Sequence, residues 1–224
     1  MYKSIDKQMV YIFQNAKVLK ILESAKGALK YFAEGVPSLG MKPLDPLYLK
    51  DVKADSGDMK LAFKNLVFTR ASQTEFVKIT RDPAKNTGQI VADIPVDLKG
   101  DYVMNGTLLL VDVFGEGKAH IYGDKLRFTV DIRLKNIEKD GNKHYKIAGF
   151  DYKYEPLTKF HLNFLNLYNG DEKKAEPIKK IMEENWKEVL DIFGKKVIEA
   201  VLKEIVAVID QFFISVPVNQ LEIV

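Results

Sequence analysis

The side chains best equipped for chemistry are few and scattered. Of the 3 histidines, His120, His144 and His161, none stands at the HxxxH or HExxH spacing that aims two imidazoles at one metal from a helix face. Cysteine is absent, which excludes thiolate nucleophiles, disulfides and cysteine-held zinc or iron–sulfur centres together. No GxSxG elbow, Walker loop or complete GxGxxG occurs. Gly115-Glu116-Gly117 lacks the third glycine of a dinucleotide loop and predicts a turn or bulge. Glu183, Glu184, Glu188 and Asp191 stand among lysines, the pattern of a solvated helix face. Without a nucleophile and base, a metal set or a cofactor loop, the residues predict a protein that is not an enzyme and needs no cofactor or metal.

What the chain supplies in quantity is apolar surface. Of its 224 residues 46% are hydrophobic, and the 10 Tyr and 13 Phe offer large rigid faces suited to flat, conjugated or isoprenoid molecules. A chain of this length buries roughly 70% or more of its unfolded surface. The 34 Lys and Arg nearly cancel the 31 Asp and Glu, and a net charge of +3 gives nucleic acid little to hold. The pairs Lys173-Lys174, Lys179-Lys180 and Lys195-Lys196 are interleaved with acids and predict a solvated surface, with transient contact to an anionic membrane or a receptor as the alternative. The longest apolar run, Ile205 to Ile209, falls far short of the ~20 residues that span a bilayer. Met1-Tyr2-Lys3-Ser4 leads into a polar amphipathic segment, not the apolar stretch of a signal peptide.

Periodicity supplies the elements that position this surface. Apolar residues recur at helical spacing from about Ser4 to Ala33, through Met9, Ile12, Phe13, Ala16 and Leu19 and on to Leu22, Ala25, Leu29 and Phe32. Gly35, Pro37, Gly40, Pro43 and Pro46 stop that helix and predict an extended connector. From about Asp51 to Tyr154 the period is two, with strands at Leu61–Phe68, Gln89–Leu98, Tyr102–Val113, Lys125–Lys135 and His144–Tyr154. The clearest puts Leu126, Phe128, Val130, Ile132 and Leu134 on one face and charged or hydroxyl residues on the other. Asp140-Gly141-Asn142 predicts a hairpin turn. A final helix is expected from Pro177 to about Phe213, striped by Trp186, Leu190, Phe193, Val197, Val201, Ile205, Val208 and Phe212 and ended by Ser215-Val216-Pro217. A helix that long, on the order of 50 Å, must be covered along its length, and a curved sheet with one dry face can do so. The expected class is therefore α+β: one elongated domain over residues 1–224, in which a long C-terminal helix is wrapped by a strongly curved antiparallel sheet.

At this point the order of short motifs becomes recognisable. Gly35-Val36-Pro37-Ser38-Leu39-Gly40 with Pro43-Leu44-Asp45-Pro46-Leu47, then Gly100-Asp101-Tyr102 with Gly106, Gly115-Glu116-Gly117, Asn166-Leu167-Tyr168-Asn169-Gly170-Asp171, Asn185-Trp186-Lys187-Glu188 and Phe213-Ile214-Ser215-Val216-Pro217 resemble the insect takeout and juvenile-hormone-binding family. The resemblance covers nearly the whole chain. It implies a fold of the tubular lipid-binding type with an internal apolar tunnel, and a secreted, haemolymph-like location after removal of a signal peptide. One departure is that the family's N-terminal cysteine pair is missing, roughly where Phe13 and Lys20 stand. Without it the first helix is the element expected to move when ligand enters.

Spacing alone makes the helix stripe a packed core face. The resemblance implies that part of the same face borders a tunnel, built by Leu108, Leu110, Phe128, Val130, Ile132, Phe164, Leu167, Trp186, Leu190, Phe193, Val197, Val201, Ile205, Val208 and Phe212. The implied cargo is a terpenoid, a fatty acid or ester, or a carotenoid, carried without chemistry by a monomer. A surface-acting interaction protein with a vestigial tunnel is the alternative. Val201→Arg is the substitution expected to abolish carriage. Asn105-Gly106-Thr107 is a glycosylation sequon in or beside a strand.

Overall fold

The alternating segment at Lys125–Lys135 is the middle of a much longer strand. In the computed structural model, which describes residues 21–221, the sheet has strands β1 (Leu47–Tyr48), β2 (Val52–Lys53), β3 (Lys60–Thr69), β4 (Glu75–Asp82), β5 (Thr87–Leu108), β6 (Val111–Lys139), β7 (Asn142–Pro156) and β8 (Phe160–Phe164). The 22-residue β5 and 29-residue β6 pair antiparallel along almost all of β5 and form the spine. Strands β3 and β4 share the outer edge of β5, while β7 and β8 share that of β6. The sheet stays open, and register shifts bend it, the central one where Ile94 and Val96 face Leu126 and Gly123. Leu126, Phe128, Val130 and Ile132 all point into the core, as their alternation predicts.

Two strand predictions need correction. Gln89–Leu98 and the start of Tyr102–Val113 belong to one strand, because Gly100 is not a turn. A Cβ at Gly100 would lie 2.8 Å from the Lys64 carbonyl, so this glycine allows close approach of β3 beside its bulge. The end of Tyr102–Val113 instead crosses a hairpin between β5 and β6. The glycines of Gly115-Glu116-Gly117 make no turn either. They lie inside β6, where the segment Leu165–Leu167 crosses so closely that Cβ atoms would meet its backbone at 3.0 Å and 2.6 Å. Tyr102 donates to the Leu165 carbonyl there at 2.7 Å, and burial pushes its phenol pKa up to about 12.

The two-residue turns of this sheet differ in chemistry. Asp140-Gly141 joins β6 to β7 with φ of 50° and 73°, the left-handed pair that such a turn requires and that Asp-Gly supplies readily. Leu109-Leu110 joins β5 to β6 with φ of 47° and 70°, a conformation leucine adopts only under strain. The paired change Leu109→Asn with Leu110→Gly is expected to stabilise the fold by about 1–2 kcal/mol. A urea midpoint no higher than wild type would show that leucine contacts offset the strain.

Helix α1 (Ile21–Glu34) lies within the predicted first helix; the earlier part of that prediction, with Phe13 and Lys20, falls outside the described residues. The connector after it is folded rather than extended. Val36 and Met41 pair across a 3-10 turn at Pro37–Leu39, both buried, and Leu44 N–H caps α1 by donating to the carbonyls of Phe32 and Ala33. The C-terminal prediction of one helix from Pro177 also changes. Asp171 caps α2 (Glu172–Glu184), its side chain accepting from Lys174 N–H at 3.3 Å, so Pro177 lies inside this helix and not at its start. Asn185 leaves helical geometry, and α3 (Trp186–Ser215) then runs 30 residues, about 45 Å. Val216 closes it before the short α4 (Val218–Leu221). No helix is long and apolar enough to cross a membrane among the described residues. The dry face of the sheet packs against α3 in one core that extends from Tyr31 to Val216.

Candidate functional site

The face of α3 and the inner face of the sheet do not meet everywhere. Between them lies a cavity of about 830 Å³. Its walls are Ile21, Ala25, Leu29 and Phe32 of α1, Phe76 and Ile79 of β4, Ile90 and Ala92 of β5, Phe128, Val130, Ile132 and Leu134 of β6, and Leu202, Ile205, Val206, Ile209, Phe212 and Phe213 of α3. Several of these, Ile90, Ile205 and Phe213 among them, remain half-buried although interior, because they face the void. A second cavity of about 50 Å³ lies further along α3. Phe68, Ile94, Phe128, Leu202 and Ile205 border both, so the two apolar cavities are neighbours along the helix.

The residues selected from sequence divide accordingly. Phe128, Val130, Ile132, Ile205 and Phe212 line the large cavity, and Phe164, Leu190, Phe193, Val197 and Val201 line the small one with Phe128 and Ile205. Leu108, Leu167 and Val208 are buried in the core and border neither cavity. Trp186 stacks on Phe160 at 6.2 Å and also borders neither. Leu110 is a correction: it is 97% exposed at the tip of the β5–β6 hairpin, because the turn interrupts the alternation that links it to Leu108.

Sequence reasoning missed the β4 wall. The shift in register between Phe76 and Lys78 breaks the period of two, so no alternating signal remained. It also missed Ile90, Tyr145, Ile209 and Phe213, as well as Arg81, the one charged side chain on the cavity wall among the described residues. Arg81 Nη1 donates to the carbonyls of Asp82 and Thr87 at 2.6 Å and 3.0 Å, Nη2 donates to Asn86 Oδ1 at 3.3 Å, and the guanidinium lies 5.1 Å from the centre of the Tyr145 ring.

Charged groups elsewhere serve the scaffold. Asp93 is buried on the sheet face opposite the cavity and accepts from Arg127 Nε at 2.7 Å and Nη2 at 2.8 Å, tying β5 to β6. The bonded guanidinium holds its carboxyl below the ordinary 3.8, against burial, which raises it. Its contribution to stability is therefore complete above the ordinary value and vanishes as the pH falls through the lowered one. Asp93→Asn is expected to lower Tm at neutral pH, and melts on an acid series should show the gap to wild type closing well below pH 3.8. A gap independent of pH would contradict the pairing.

Two of the histidines and Glu183 of the acidic run likewise belong to the scaffold. His120 and His161, distant in sequence, flank Tyr122 in a stack at 4.5 Å and 4.7 Å. Among the described residues no cluster of three His, Asp or Glu side chains can hold a metal. Lys159, 2.6 Å from Glu183, holds that carboxyl below its usual range, so it stays ionised on a solvated helix.

The sequence matches the family model described as haemolymph juvenile hormone binding protein over residues 19–222. It is 22% identical over 218 residues to the circadian clock-controlled protein daywake of Drosophila yakuba, which covers 89% of this chain and 82% of that protein. The daywake protein of Drosophila melanogaster gives 22% identity over 216 residues with the same coverage. Among solved structures, Takeout 1 of Epiphyas postvittana superposes with a TM-score of 0.87 at 21% identity, covering 91% of this chain and 95% of that one. That likeness concerns the fold, the open antiparallel sheet around a long C-terminal helix. The family match extends from just before α1 to just past α4, and the chain accordingly belongs to the haemolymph juvenile hormone binding protein family, whose members are binding proteins and not enzymes.

Proposed function

We propose that this protein is a single-domain monomeric carrier of one long apolar small molecule, a terpenoid, a fatty acid or ester, or a carotenoid. The observation that carries the reading is the 830 Å³ apolar void between α3 and the sheet. It lies toward the upper end of the ~300–1,000 Å³ usual for small-molecule pockets. A void of that size in a packed core forfeits contacts that a ligand restores, and apolar area transferred from water contributes about 25 cal/mol per Å² before ordering entropy is subtracted. Such a cavity favours the carrier over an interaction protein with a vestigial tunnel. Secretion into haemolymph-like fluid is supported by the description of the family.

Organic extraction of protein purified from its native source, followed by mass spectrometry, is expected to yield one apolar molecule per chain. Folded protein that releases nothing and has no affinity for any apolar probe would refute the reading. Light scattering at the mass of two or more chains would refute the monomer.

A further inference from the structure

The strained turn at Leu109-Leu110 presents a surface that the core does not use. Two-residue turns of this handedness are ordinarily built from Asn, Asp and Gly, yet here two leucines hold φ of 47° and 70°. Leu109 packs against the core, whereas Leu110 stands 97% exposed at the end of the two longest strands. Burial therefore gives no reason for a leucine at 110. Val111 and Phe114, both exposed, continue the apolar surface back along β6. Phe114 meets the edge of the Tyr168 ring at 5.1 Å, and the Tyr168 hydroxyl donates to the Asp112 carbonyl at 2.6 Å.

Area, shape and charge together decide what such a tip fits. Leu110, Val111 and Phe114 offer on the order of a few hundred Å², short of the ~800 Å² per partner that a stable protein interface buries. A bilayer surface demands no matching shape and accepts a few apolar side chains below amphipathic rings. Charges on the adjoining elements are balanced. Lys60 of β3 pairs with Asp55 at 3.7 Å, Lys174 of α2 pairs with Asp171 at 3.5 Å, and Asp112 is exposed beside the turn. Neutral headgroups suit this surroundings as well as anionic ones do.

We propose that the β5–β6 hairpin is a membrane-docking tip, with Leu110 and Val111 entering the interfacial region of a phospholipid bilayer. Phe114 and Tyr168 follow at the level of the headgroups, four residues or about 13 Å behind Leu110. The large cavity borders the opposite part of β5, Gly88–Ile94, so docking is separate from ligand uptake and stands without the carrier reading.

Wild-type protein and Leu110→Asn are sedimented with vesicles of palmitoyl-oleoyl phosphatidylcholine. The wild type is expected to partition onto them at least about tenfold more strongly. Asn tolerates positive φ, so the variant should stay folded, which a thermal melt checks. The chain has no cysteine, so Leu110→Cys and Lys143→Cys each carry a single nitrobenzoxadiazole fluorophore. Emission should shift to the blue on adding vesicles at position 110, but not at exposed position 143 on the hairpin at the other end of β6. Replacing about a fifth of the lipid by phosphatidylglycerol should alter wild-type partition less than about threefold. Absence of vesicle binding, equal partition of wild type and Leu110→Asn, an equal shift at both labelled positions, or binding only with phosphatidylglycerol would each overturn the docking tip. So would light scattering that finds a wild-type dimer dissociated by Leu110→Asn, since the tip would then belong to a second copy of the chain. The labelled pair decides the matter even where Leu110→Asn does not fold.

Discussion

Ile205→Arg is expected to reduce apolar-ligand affinity by more than about a hundredfold while lowering Tm by only a few degrees. Ile205 borders both cavities and is only half-buried, because its side chain fronts the void. A guanidinium there has room, and its long stem can carry the charge toward polar groups at the cavity wall. The fold therefore tolerates it. An apolar ligand does not, since it must then occupy space beside a charge that holds water. The sequence favoured Val201→Arg for this experiment, but Val201 is 8% exposed and lines only the 50 Å³ cavity. An arginine at Val201 has nowhere to go and is expected to unfold the protein before it informs on binding. The two variants should thus separate, Ile205→Arg folded without ligand and Val201→Arg failing in thermal melts. Probe displacement by Ile205→Arg within about threefold of wild type would move the ligand out of this cavity.

That contrast marks where sequence stops being legible. The inner faces of β6 and α3 were readable because Leu126, Phe128, Val130 and Ile132 repeat at two, and Leu190, Phe193, Val197 and Val201 at helical spacing. Asp140-Gly141 was readable because its turn demands residues that tolerate positive φ. Leu109-Leu110 was not, because it breaks that rule and continues an apolar run. Gly100 and Gly115 imitate turn signals, yet both serve close backbone approach inside long strands. Whether an apolar residue packs or borders empty space has no one-dimensional signal. Ile205 and Val208 share the helix stripe, but only Ile205 faces a cavity, since that depends on how far α1, β4 and the helix stand apart.

Gly106→Ala is expected to act on the fold as selectively as Ile205→Arg acts on the site. Gly106 has φ of +139°, a region nearly closed to residues with a side chain, and its Cβ would fall 2.5 Å from the Asp58 carbonyl oxygen and 2.7 Å from the Met59 Cα. Both obstacles are backbone, so no rotamer change relieves them, and the turn between β2 and β3 must shift or β5 must bend. Strain of about 1–3 kcal/mol adds to a displacement cost of similar size, for a total of about 3 kcal/mol. For a chain of this size about 2–4 °C is lost per kcal/mol, so Tm should fall by roughly 6–12 °C. Gly57→Ala is the matched control: φ is +55° but nothing lies within 4 Å of an added Cβ, and only the smaller conformational penalty applies. The substitution leaves Asn105 and Thr107 in place, so the sequon is intact and a change in glycosylation does not confuse the melt. Gly106 pairs with Val113 beside the β5–β6 hairpin, away from the stretch Gly88–Ile94 of β5 that borders the large cavity. Probe affinity in the folded fraction should therefore equal that of wild type. A Tm within about 2 °C of wild type would show that β5 relaxes freely there and that its conformation is not fixed by the glycine.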